Sequence, residues 1–403
     1  MTYLANYSRA AINFVAGEGC ELIDDRGRRY LDVIGGLAVA ALGHAHPAIA
    51  QAVCAQARTL THVSNLYHHE PAGTLARELV ARSGMAGAFF CNSGTEANEA
   101  AIKLARKRAY RCNEVNRNVI LACSGSFHGR TLGSLSATSN PSLQEGFAPL
   151  PAGFDFVPFN DVVALGNALD ERVAAVIVEP VQGESGVHVA EREFLAAARR
   201  LCDERGALLI FDEIQCGMGR TGSLFAYQQF RVKPDAVTLA KSLANGLPIG
   251  ALLANARAAT GFQPGDHGST FGGSPVPCAA ALAHLHVRDE LDLDQRVRAR
   301  SSVLFALLER LATSVPTVLG APRGLGLLVG MPVLEPYTAN AVVAAARSHG
   351  LLIGSAGGNT VRFAPPLIVS DSEIARAVSL LSNAIESLRS EGDTISVEQV
   401  SNR

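Results

Sequence analysis

The sequence predicts an α/β protein whose mainly parallel central sheet is covered by helices on both faces. Six short apolar runs, each bounded by polar residues or glycine, have the length and composition of buried strands. They are AGAFFCN, NVILAC, AAVIVEP, ALLIFDE, DAVTLAK and IGALLAN. Stretches with helical periodicity lie between several of them, as at 96–108 and 191–205. Sheets of this kind place their binding sites at the carboxyl ends of the strands, so functional residues are expected there.

The length of the chain and a change in its secondary-structure pattern predict two domains. With 403 residues, the chain exceeds the size of most single domains. Residues 61–290 carry the alternation of strands and helices, and we expect them to form the large domain. Residues 1–60 and 291–403 contain the short strand candidates CELIDD, RYLDVI, LLVGMPV and TVRFAP beside C-terminal helices. We expect these two terminal regions to form a smaller α/β domain together.

The composition excludes two classes of partner. Hydrophobic residues make up 48% of the chain, charged residues make up 18%, and the formal net charge is −2. A nearly neutral chain has no electrostatic basis for binding nucleic acid or an anionic membrane surface. The sequence shows neither a basic N-terminal segment followed by an apolar run nor about 20 successive apolar residues. We therefore expect a cytoplasmic protein that acts on small molecules.

The cysteine and histidine patterns do not indicate a metal site. The eight cysteines are scattered without a C-x-x-C pair, which favours reduced thiols over a disulfide framework or a zinc site. His44 and His46 share one face of an extended segment, but no third ligand lies near them in the sequence. We expect no metal ion.

Lysine is scarce, which makes the position of each lysine informative. The sequence contains four, Lys103, Lys107, Lys233 and Lys241. The first two lie on the polar face of a predicted helix, and Lys233 precedes a proline in a loop, so solvated charges account for all three. Lys241 instead closes the buried run DAVTLA and precedes the loop SLANGLPIG, whose glycines give a ligand access to the backbone. Lys241 is a candidate reactive amine, with a lysine that snorkels from a strand end as the alternative.

An aspartate occupies the corresponding end of the preceding predicted strand. Asp212 closes the run ALLIF, about one strand-to-strand crossover before Lys241, so the two residues are expected at adjacent strand ends. A carboxylate keeps a pyridine nitrogen protonated, and a lysine amine forms an imine with an aldehyde. The pair therefore predicts pyridoxal 5'-phosphate as the cofactor. The alternative is an Asp212–Lys241 ion pair, which is costly to bury without further partners.

A third feature follows the strand candidate AGAFFCN, where Ser93-Gly94-Thr95 leads directly into a helix. The free amides of a helix start, the helix dipole and the Thr95 hydroxyl together suit a phosphate group. A serine or threonine shortly before a glutamate also makes an ordinary helix cap. Combined with Lys241 and Asp212, the helix start would supply the phosphate site of the same cofactor.

A dinucleotide-binding site is a competing hypothesis, because GMGRTG at 217–222 satisfies G-x-G-x-x-G. In that motif the first glycine follows the strand immediately, whereas Gly217 lies five residues after Asp212. The following segment, SLFAYQQF, is at best a short helix before Lys233. The spacing therefore argues against dinucleotide binding.

Five segments make the chain similar to class III aminotransferases: FFCNSGTEANEAAIKLARK, SFHGRTLG, DEIQCGMGRTG, LAKSLANGLPIG and HGSTFGG. The match is collinear over nearly the whole chain. The resemblance implies a fold-type I transferase that depends on pyridoxal 5'-phosphate and works as a homodimer, with active sites at the subunit interface. Within the class, GHAHPAIAQAV, LTHVSNLYHHEP, FAPLP, EPVQGESGV and VRFAPPL most resemble the acetylornithine aminotransferases.

The resemblance assigns cofactor-binding roles to seven residues. Lys241 corresponds to the lysine that forms the Schiff base, and Asp212 corresponds to the partner of the pyridine nitrogen. Gln215 corresponds to a neighbour of the phenolic oxygen of the ring, and Phe127 corresponds to the residue that stacks on the ring. The phosphate residues are Gly94 and Thr95 together with Thr270, which in the family reaches the phosphate of the other subunit.

The resemblance also assigns substrate-binding roles to four residues. Arg130 corresponds to the arginine that binds the carboxylate of the acetylated substrate, with Ser269 close by. Arg362 corresponds to the arginine that binds the α-carboxylate of glutamate or 2-oxoglutarate, and Glu184 to a glutamate that pairs with it and releases it for the dicarboxylate. A planar guanidinium suits these tasks because it grips a carboxylate through two parallel hydrogen bonds.

The implied reaction is a ping-pong transamination in arginine biosynthesis. The terminal amine of N2-acetyl-L-ornithine would be transferred to 2-oxoglutarate, giving N-acetyl-L-glutamate 5-semialdehyde and L-glutamate. Succinylornithine, ornithine and 4-aminobutyrate are alternative donors, because each carries a terminal amine. A cofactor-binding regulator is the non-enzyme alternative, but regulators of this kind ordinarily carry an additional DNA-binding domain, for which we see no N-terminal segment.

Three segments depart from the family pattern. LAKSLANG stands where the family has the more glycine-rich AKGLGGG, GESG stands for GEGG, and GGSPVP stands for GGNPLA. None of these departures removes a catalytic group, but they bear on the choice of substrate. Ser185, beside Glu184, is the departure that we expect to touch the substrate pocket.

Overall fold

The computed structural model describes residues 3–401 and, for 391–401, only the course of the backbone. A seven-stranded sheet forms the centre of the molecule. In spatial order its strands are Gly87–Cys91, Gly250–Ala254, Ala236–Leu239, Leu208–Asp212, Val173–Val178, Val119–Cys123 and Phe154–Val157. Only Gly250–Ala254 is antiparallel to its neighbours, so the prediction of a mainly parallel sheet is confirmed.

All six predicted strands belong to this sheet, and the seventh, Phe154–Val157, was not predicted. It lies at the edge of the sheet, pairs only with Val119–Cys123, and leaves Asp155 and Phe156 exposed. A four-residue edge strand lacks the continuous apolar run that marks a strand buried on both faces. The sequence pattern therefore carries no signal for this strand.

Helices cover both faces of the sheet, and alternate residues of each strand point to opposite faces. Ile177 and Ile210 belong to the same hydrophobic core as the helix Gly94–Arg111. Val176 and Phe211, their immediate neighbours in sequence, belong to the core that contains the helix Arg192–Arg205. All four of these side chains are fully buried, which explains why these strands read as continuous apolar runs.

The remaining helices connect or flank the strands. They are Pro47–Thr59, Glu70–Ser83, Leu132–Ser136, Pro141–Gln144, Val162–Ala168, Tyr227–Phe230, Ala256–Ala259, Pro275–Glu290, Leu293–Ser314, Ala339–Ser348 and Asp371–Ser401, with a 3-10 helix at Lys241–Ala244. Among residues 3–401, no helix has both the length and the apolar composition needed to cross a bilayer.

Both chain termini contribute to a smaller α/β region. One four-stranded sheet contains Phe14–Glu18, Glu21–Asp24, Arg29–Asp32 and Leu351–Leu352, and a second contains Arg323–Leu325, Leu328–Pro332, Thr360–Phe363 and Gly354–Ala356. A hairpin pairs Val181–Gln182 with His188–Val189. The strand Arg29–Asp32 pairs in parallel with Leu351–Leu352, which joins the N-terminal and C-terminal regions in one sheet. The fold class is confirmed, whereas the boundaries at residues 60 and 290 stay predictions.

A left-handed turn follows the strand Arg29–Asp32. The four residues Gly35–Ala38 have φ values of 54°, 61°, 66° and 65°. Two of them, Leu37 and Ala38, carry side chains, for which this conformation costs about 1–2 kcal/mol per residue. The carboxylate of Asp32 secures the start of the turn, because its Oδ1 accepts hydrogen bonds from the amides of Ile34 and Gly35 at 3.0 and 2.9 Å. The turn is a strained element that the surrounding structure must hold in place.

Candidate active site

A cavity of about 380 Å³ lies at the carboxyl ends of the central strands, where the strand pattern predicts the site. Its walls contain eight of the eleven predicted site residues: Gly94, Thr95, Phe127, Arg130, Glu184, Asp212, Gln215 and Lys241. The other three, Ser269, Thr270 and Arg362, lie outside the cavity wall. The fold therefore brings together most of the predicted site from segments that are far apart in sequence.

Asp212 ends the strand Leu208–Asp212 and is almost completely buried. Its Oδ2 accepts hydrogen bonds from Asn98 Nδ2 at 2.7 Å and from His128 Nδ1 at 2.8 Å. Its Oδ1 accepts a third hydrogen bond from the amide of Ile214 at 3.0 Å. A buried carboxylate that is satisfied in this way remains available as a charged acceptor on the cavity wall.

Asn98 and His128, which hold Asp212, were not predicted from the sequence. Asn98 is fully buried, donates also to the carbonyl of His128 at 2.7 Å, and accepts a hydrogen bond from the Thr238 hydroxyl at 2.8 Å. It lies among alanines on the buried stripe of the helix Gly94–Arg111, where a polar residue needs a partner. That exception to the apolar pattern was the available signal. For His128 the signal was its position directly after Phe127 in SFHGR.

Lys241 follows the strand Ala236–Leu239 and begins the 3-10 helix Lys241–Ala244. Within the described part of the chain, its amine forms neither a hydrogen bond nor an ion pair. Burial lowers the pKa of Lys241, and the charge of Arg362 acts in the same direction. The carboxylates of Glu184, Asp212 and Glu179 oppose this shift without cancelling it. A lowered pKa increases the fraction of neutral, nucleophilic amine.

The helix Gly94–Arg111 begins at the cavity with an N-terminal cap. The Ser93 side chain accepts from the amide of Glu96 at 3.3 Å, and the Ser93 carbonyl accepts from the amide of Ala97 at 3.1 Å. The amides of Gly94 and Thr95 have no acceptor among residues 3–390, which leaves two donors and the positive end of the helix dipole for an anion. The predicted cap is present, and because two amides stay free beside it, it does not exclude the phosphate site, which stays a prediction.

Gly94 is required at this helix start by close packing. A Cβ atom on Gly94 would lie 2.8 Å from the Ile214 side chain, closer than van der Waals contact allows. The Thr95 hydroxyl also has a structural role, since its Oγ1 accepts from the amides of Arg130 and Thr131, each at 3.2 Å. These contacts bind the loop that carries Phe127 and Arg130 to the helix start.

One aromatic and one cationic side chain from this loop, Phe127 and Arg130, line the cavity. Phe127 is half-buried, and its amide donates to Glu179 Oε2 at 3.0 Å. The guanidinium carbon of Arg130 lies 5.7 Å from the centre of the Phe127 ring, within the range of a cation–π contact. Arg130 is exposed and forms no ion pair with the described carboxylates, so its charge is available to a ligand.

Arg362 lies behind the cavity wall, fully buried in the strand Thr360–Phe363. Its Nη1 donates to Glu184 Oε1 at 2.6 Å, to Gln215 Oε1 at 3.2 Å and to the carbonyl of Gly183 at 2.9 Å. Gln215 completes the group by donating through Nε2 to Glu184 Oε1 at 2.9 Å. The predicted pairing of Glu184 with Arg362 is thus present, and Glu184 stands between Arg362 and the cavity.

Electrostatics keep Glu184 charged. Burial raises the pKa of Glu184, but the positive charges of Arg362 and Lys241 and the hydrogen bonds from Arg362 and Gln215 outweigh it, so the net shift is downward. Burial and the neighbouring charge of Asp212 raise the pKa of Glu179, a carboxyl group on the same cavity wall. Glu179 was missed, although a carboxylate at the end of the run AAVIV was the same signal that identified Asp212.

Ser269, Thr270 and the neighbour of Glu184, Ser185, also lie outside the cavity wall. The Ser269 hydroxyl accepts from Asn92 Nδ2 at 3.2 Å and from the amide of Gly272 at 3.0 Å. Thr270 is exposed and lies outside the cavity of its own chain, so its expected role at a second subunit stays a prediction. Ser185 does not line the cavity, and its hydroxyl donates to Gln182 Oε1 at 3.2 Å, so its expected contact with the substrate stays a prediction.

These groups fit pyridoxal 5'-phosphate. The cavity presents a buried carboxylate for the pyridine nitrogen, an amine of lowered pKa for the aldehyde, and two free amides at a helix start for the phosphate. Pyridoxal 5'-phosphate needs a carboxylate, an amine and an anion site in one cavity, and these three groups are present. Phe127 adds an apolar face against which a ring can pack.

Comparison with known proteins gives the same family over nearly the whole chain. The sequence profile of "Aminotransferase class-III" matches residues 2–385. The acetylornithine aminotransferase of Thermosynechococcus vestitus is 48% identical over 393 residues, which are 96% of this chain and 95% of that protein. The acetylornithine aminotransferase of Methanocaldococcus jannaschii is 43% identical, and the match covers 96% of each chain.

Solved structures agree with the sequence comparison. The ornithine aminotransferase of Toxoplasma gondii superposes with a TM-score of 0.92 at 34% identity, covering 97% of this chain and 94% of that one. The N-acetylornithine aminotransferase of Stenotrophomonas maltophilia superposes with a TM-score of 0.84 at 36% identity, covering 96% and 98%. With its fold, its cavity and these relatives, the chain belongs to the class III aminotransferases, enzymes that depend on pyridoxal 5'-phosphate.

Proposed function

We propose that this aminotransferase transfers the terminal amino group of N2-acetyl-L-ornithine to 2-oxoglutarate, giving N-acetyl-L-glutamate 5-semialdehyde and L-glutamate in arginine biosynthesis. The ion pair of Glu184 with Arg362 beside Lys241 is the observation that carries the proposal. The donor brings no carboxylate next to the reacting carbon, whereas 2-oxoglutarate brings one. A guanidinium that Glu184 covers in one half-reaction and uncovers in the other serves both substrates. Relatives named acetylornithine aminotransferase support this donor.

The proposed cofactor residues act through the contacts of the cavity. Bound pyridoxal 5'-phosphate supplies an electron sink that acidifies the carbon bearing the transferred amine. Asp212 holds the pyridine nitrogen in its protonated form, and the amides of Gly94 and Thr95 hold the phosphate. Phe127 would stack on the ring, and Gln215 would be the neighbour of its phenolic oxygen. The neutral amine of Lys241 takes the proton from the substrate carbon.

The proposed substrate residues distinguish the two carboxylates. Arg130, exposed over Phe127, binds the carboxylate of the acetylated donor, with Ser269 nearby. Arg362 binds the α-carboxylate of 2-oxoglutarate when Glu184 moves aside. A guanidinium exchanges one carboxylate partner for another in this step, so a buried positive charge is never left unpaired.

We also propose that the enzyme is a cytoplasmic homodimer in which Thr270 contacts the phosphate bound by the other subunit. Thr270 is exposed, and its neighbour Phe271 and the nearby segment with Leu66 and Tyr67 expose large apolar side chains. A second copy of the chain would remove this apolar surface from water. The second copy would also bring Thr270 of one subunit to the cavity of the other, whereas Thr270 does not line the cavity of its own chain.

A comparison of amino donors tests the proposed reaction. Steady-state rates with 2-oxoglutarate are measured for N2-acetyl-L-ornithine, succinylornithine, ornithine and 4-aminobutyrate. The specificity constant should be highest for N2-acetyl-L-ornithine, because Arg130 can bind its carboxylate while its acylated amine adds no second positive charge. If any of the other three donors has the highest kcat/KM, the assignment of the donor is wrong.

Lys241 is predicted to carry the cofactor and to move the proton. Reduction of the holoenzyme with borohydride, followed by peptide mapping, should place the pyridoxyl label on Lys241. Lys241→Ala should lower kcat by about 10²–10⁴-fold, the usual contribution of a positioned acid or base. Lys233→Ala is the matched control, since the Lys233 amine binds only the carbonyl of Gly84 and should retain full activity. A label on another lysine would contradict the assignment.

The pKa of Lys241 gives a prediction about pH. Only the neutral amine adds to an aldehyde, so cofactor uptake by the apoenzyme should accelerate as pH rises through the pKa of Lys241. Because burial lowers that pKa, the midpoint should lie below the ordinary lysine value of about 10.4. Glu184→Gln should shift the midpoint further down, because it removes a carboxylate that stabilises the ammonium form. Glu204→Gln, at an exposed ion pair, should leave the midpoint unchanged.

Arg362→Lys tests the carboxylate site for 2-oxoglutarate. Loss of a charge-assisted, two-pronged contact should lower kcat/KM for 2-oxoglutarate by about 10–100-fold. Single-turnover rates of the donor half-reaction should change much less. Arg323→Lys serves as the control, since Arg323 contacts only the neutral groups Gly186 O and Thr360 Oγ1. Equal losses in both half-reactions of Arg362→Lys would argue against a selective role.

A further inference from the structure

The loop that follows Lys241 is hydrogen-bonded to a distant N-terminal segment. The Ser242 hydroxyl, almost fully buried, donates to the carbonyl of Ala38 at 2.7 Å. Asn245 Oδ1 accepts from the amide of Leu42 at 2.7 Å, and Asn245 Nδ2 donates to the carbonyl of Gly43 at 3.1 Å. Two side chains from one short loop thus hold both ends of the segment 38–43.

The segment that they hold contains part of the cavity wall. Ala38 is the last residue of the left-handed turn Gly35–Ala38, and the next residue, Val39, lines the cavity. Leu37, in the middle of the turn, is exposed. Gly246 and Leu247 follow Asn245 directly and also line the cavity. The hydrogen bonds therefore join two segments that contribute to the cavity wall.

The other hydrogen bonds that hold the segment within the described residues come from its own start and from the C-terminal region, while Ala38 also packs against Cys216 and Ala226. Asp32 secures the start of the turn, the amide of Ala364 donates to the carbonyl of Val33, and the amide of Leu367 donates to the carbonyl of Ala41. None of these hydrogen bonds connects the segment to the loop that follows Lys241. Since the left-handed turn is strained, its position beside the cavity depends on the partners at its far end.

The contacts depend on residues that depart from the pattern of the resembled family. LAKSLANG has Ser242 and Asn245 where that pattern, AKGLGGG, has glycine. A glycine has no side chain, so these three hydrogen bonds cannot form with that pattern. Asn245 has a φ of 49°, a conformation that asparagine tolerates better than most residues with a side chain. Asn245 therefore keeps a backbone conformation that glycine would also adopt, and its side chain adds hydrogen bonds that glycine cannot form.

We propose that Ser242 and Asn245 are positioning residues for the amino donor. Their side chains clamp the turn Gly35–Ala38 to the loop that follows Lys241, which we call the lysine loop, and so set the position of the cavity wall at Val39. The proposal rests on the proposed function only in naming N2-acetyl-L-ornithine as that donor. Apart from Lys241, which directly precedes Ser242, the groups for the cofactor lie at other points of the cavity, at Asp212 and Gly94. Loss of the clamp should therefore weaken donor binding and leave cofactor binding intact.

The test uses three holoenzyme variants, Ser242→Ala, Asn245→Gly and the double variant. Glycine at 245 accepts the φ of 49° without strain, so the substitution removes only the side chain. The matched control is Asn359→Gly. Asn359 has the same φ of 49°, and its side chain binds the amide of Ala339 and the carbonyls of Val333 and Tyr337, outside the cavity wall.

Amide hydrogen exchange reports the clamp directly. In Asn245→Gly the amide of Leu42 loses its acceptor and should exchange about three- to tenfold faster, as expected for the loss of one hydrogen bond. In Asn359→Gly the exchange of the Ala339 amide should become faster instead, and the exchange of the Leu42 amide should not change. Unchanged exchange at Leu42 in Asn245→Gly would overturn the proposal.

Kinetics separate positioning from a merely structural role. In the double variant, KM for the donor should rise roughly tenfold, while kcat, KM for 2-oxoglutarate and cofactor affinity stay within about twofold. Asn359→Gly should leave all four constants unchanged. A double variant with faster exchange at Leu42 but an unchanged donor KM would also overturn the proposal. If the wild-type enzyme prefers another donor, the proposed function fails, and the clamp is judged on the KM of that donor.

Discussion

The buried carboxylate of Asp212 is the constraint on which the rest of the site depends. A carboxylate at the end of a central strand is costly to bury unless its oxygens are hydrogen-bonded. Here the donors come from a helix, from a loop and from the following backbone, through Asn98, His128 and Ile214. Satisfying one charge therefore ties together three segments, and the cavity takes its shape from that requirement.

The charges around Lys241 explain how a buried amine can remain reactive. Burial and Arg362 favour the neutral amine, while the nearby carboxylates favour the ammonium form. The pairing of Glu184 with Arg362 reduces the influence of each on Lys241, because each charge of the pair offsets the other. In the proposed reaction the same pair would give the site two states, with the guanidinium covered or available to a substrate carboxylate. One ion pair would then link the protonation of the lysine with the choice of substrate.

The clamp at Ser242 and Asn245 extends this organisation to the opening of the cavity. The lysine loop meets the cofactor residues at one end and the left-handed turn Gly35–Ala38 at the other. A strained turn is stable only if its surroundings hold it, so its geometry reflects the loop that binds it. Reaction chemistry and substrate access are consequently connected through a few residues after Lys241.

The sequence by itself determined the central sheet and the residues at its strand ends, because a strand buried on both faces requires an unbroken apolar run. Lys241 and Asp212 interrupt such runs at their ends, which made them visible without a structure. The pairing of Glu184 with Arg362 was expected only from the resemblance to class III aminotransferases. Only the tertiary structure decided the contacts of Asn98 and His128 with Asp212, and the clamp. Those partners lie between 84 and 204 residues apart, and a pairing over such distances leaves no periodic pattern in the sequence.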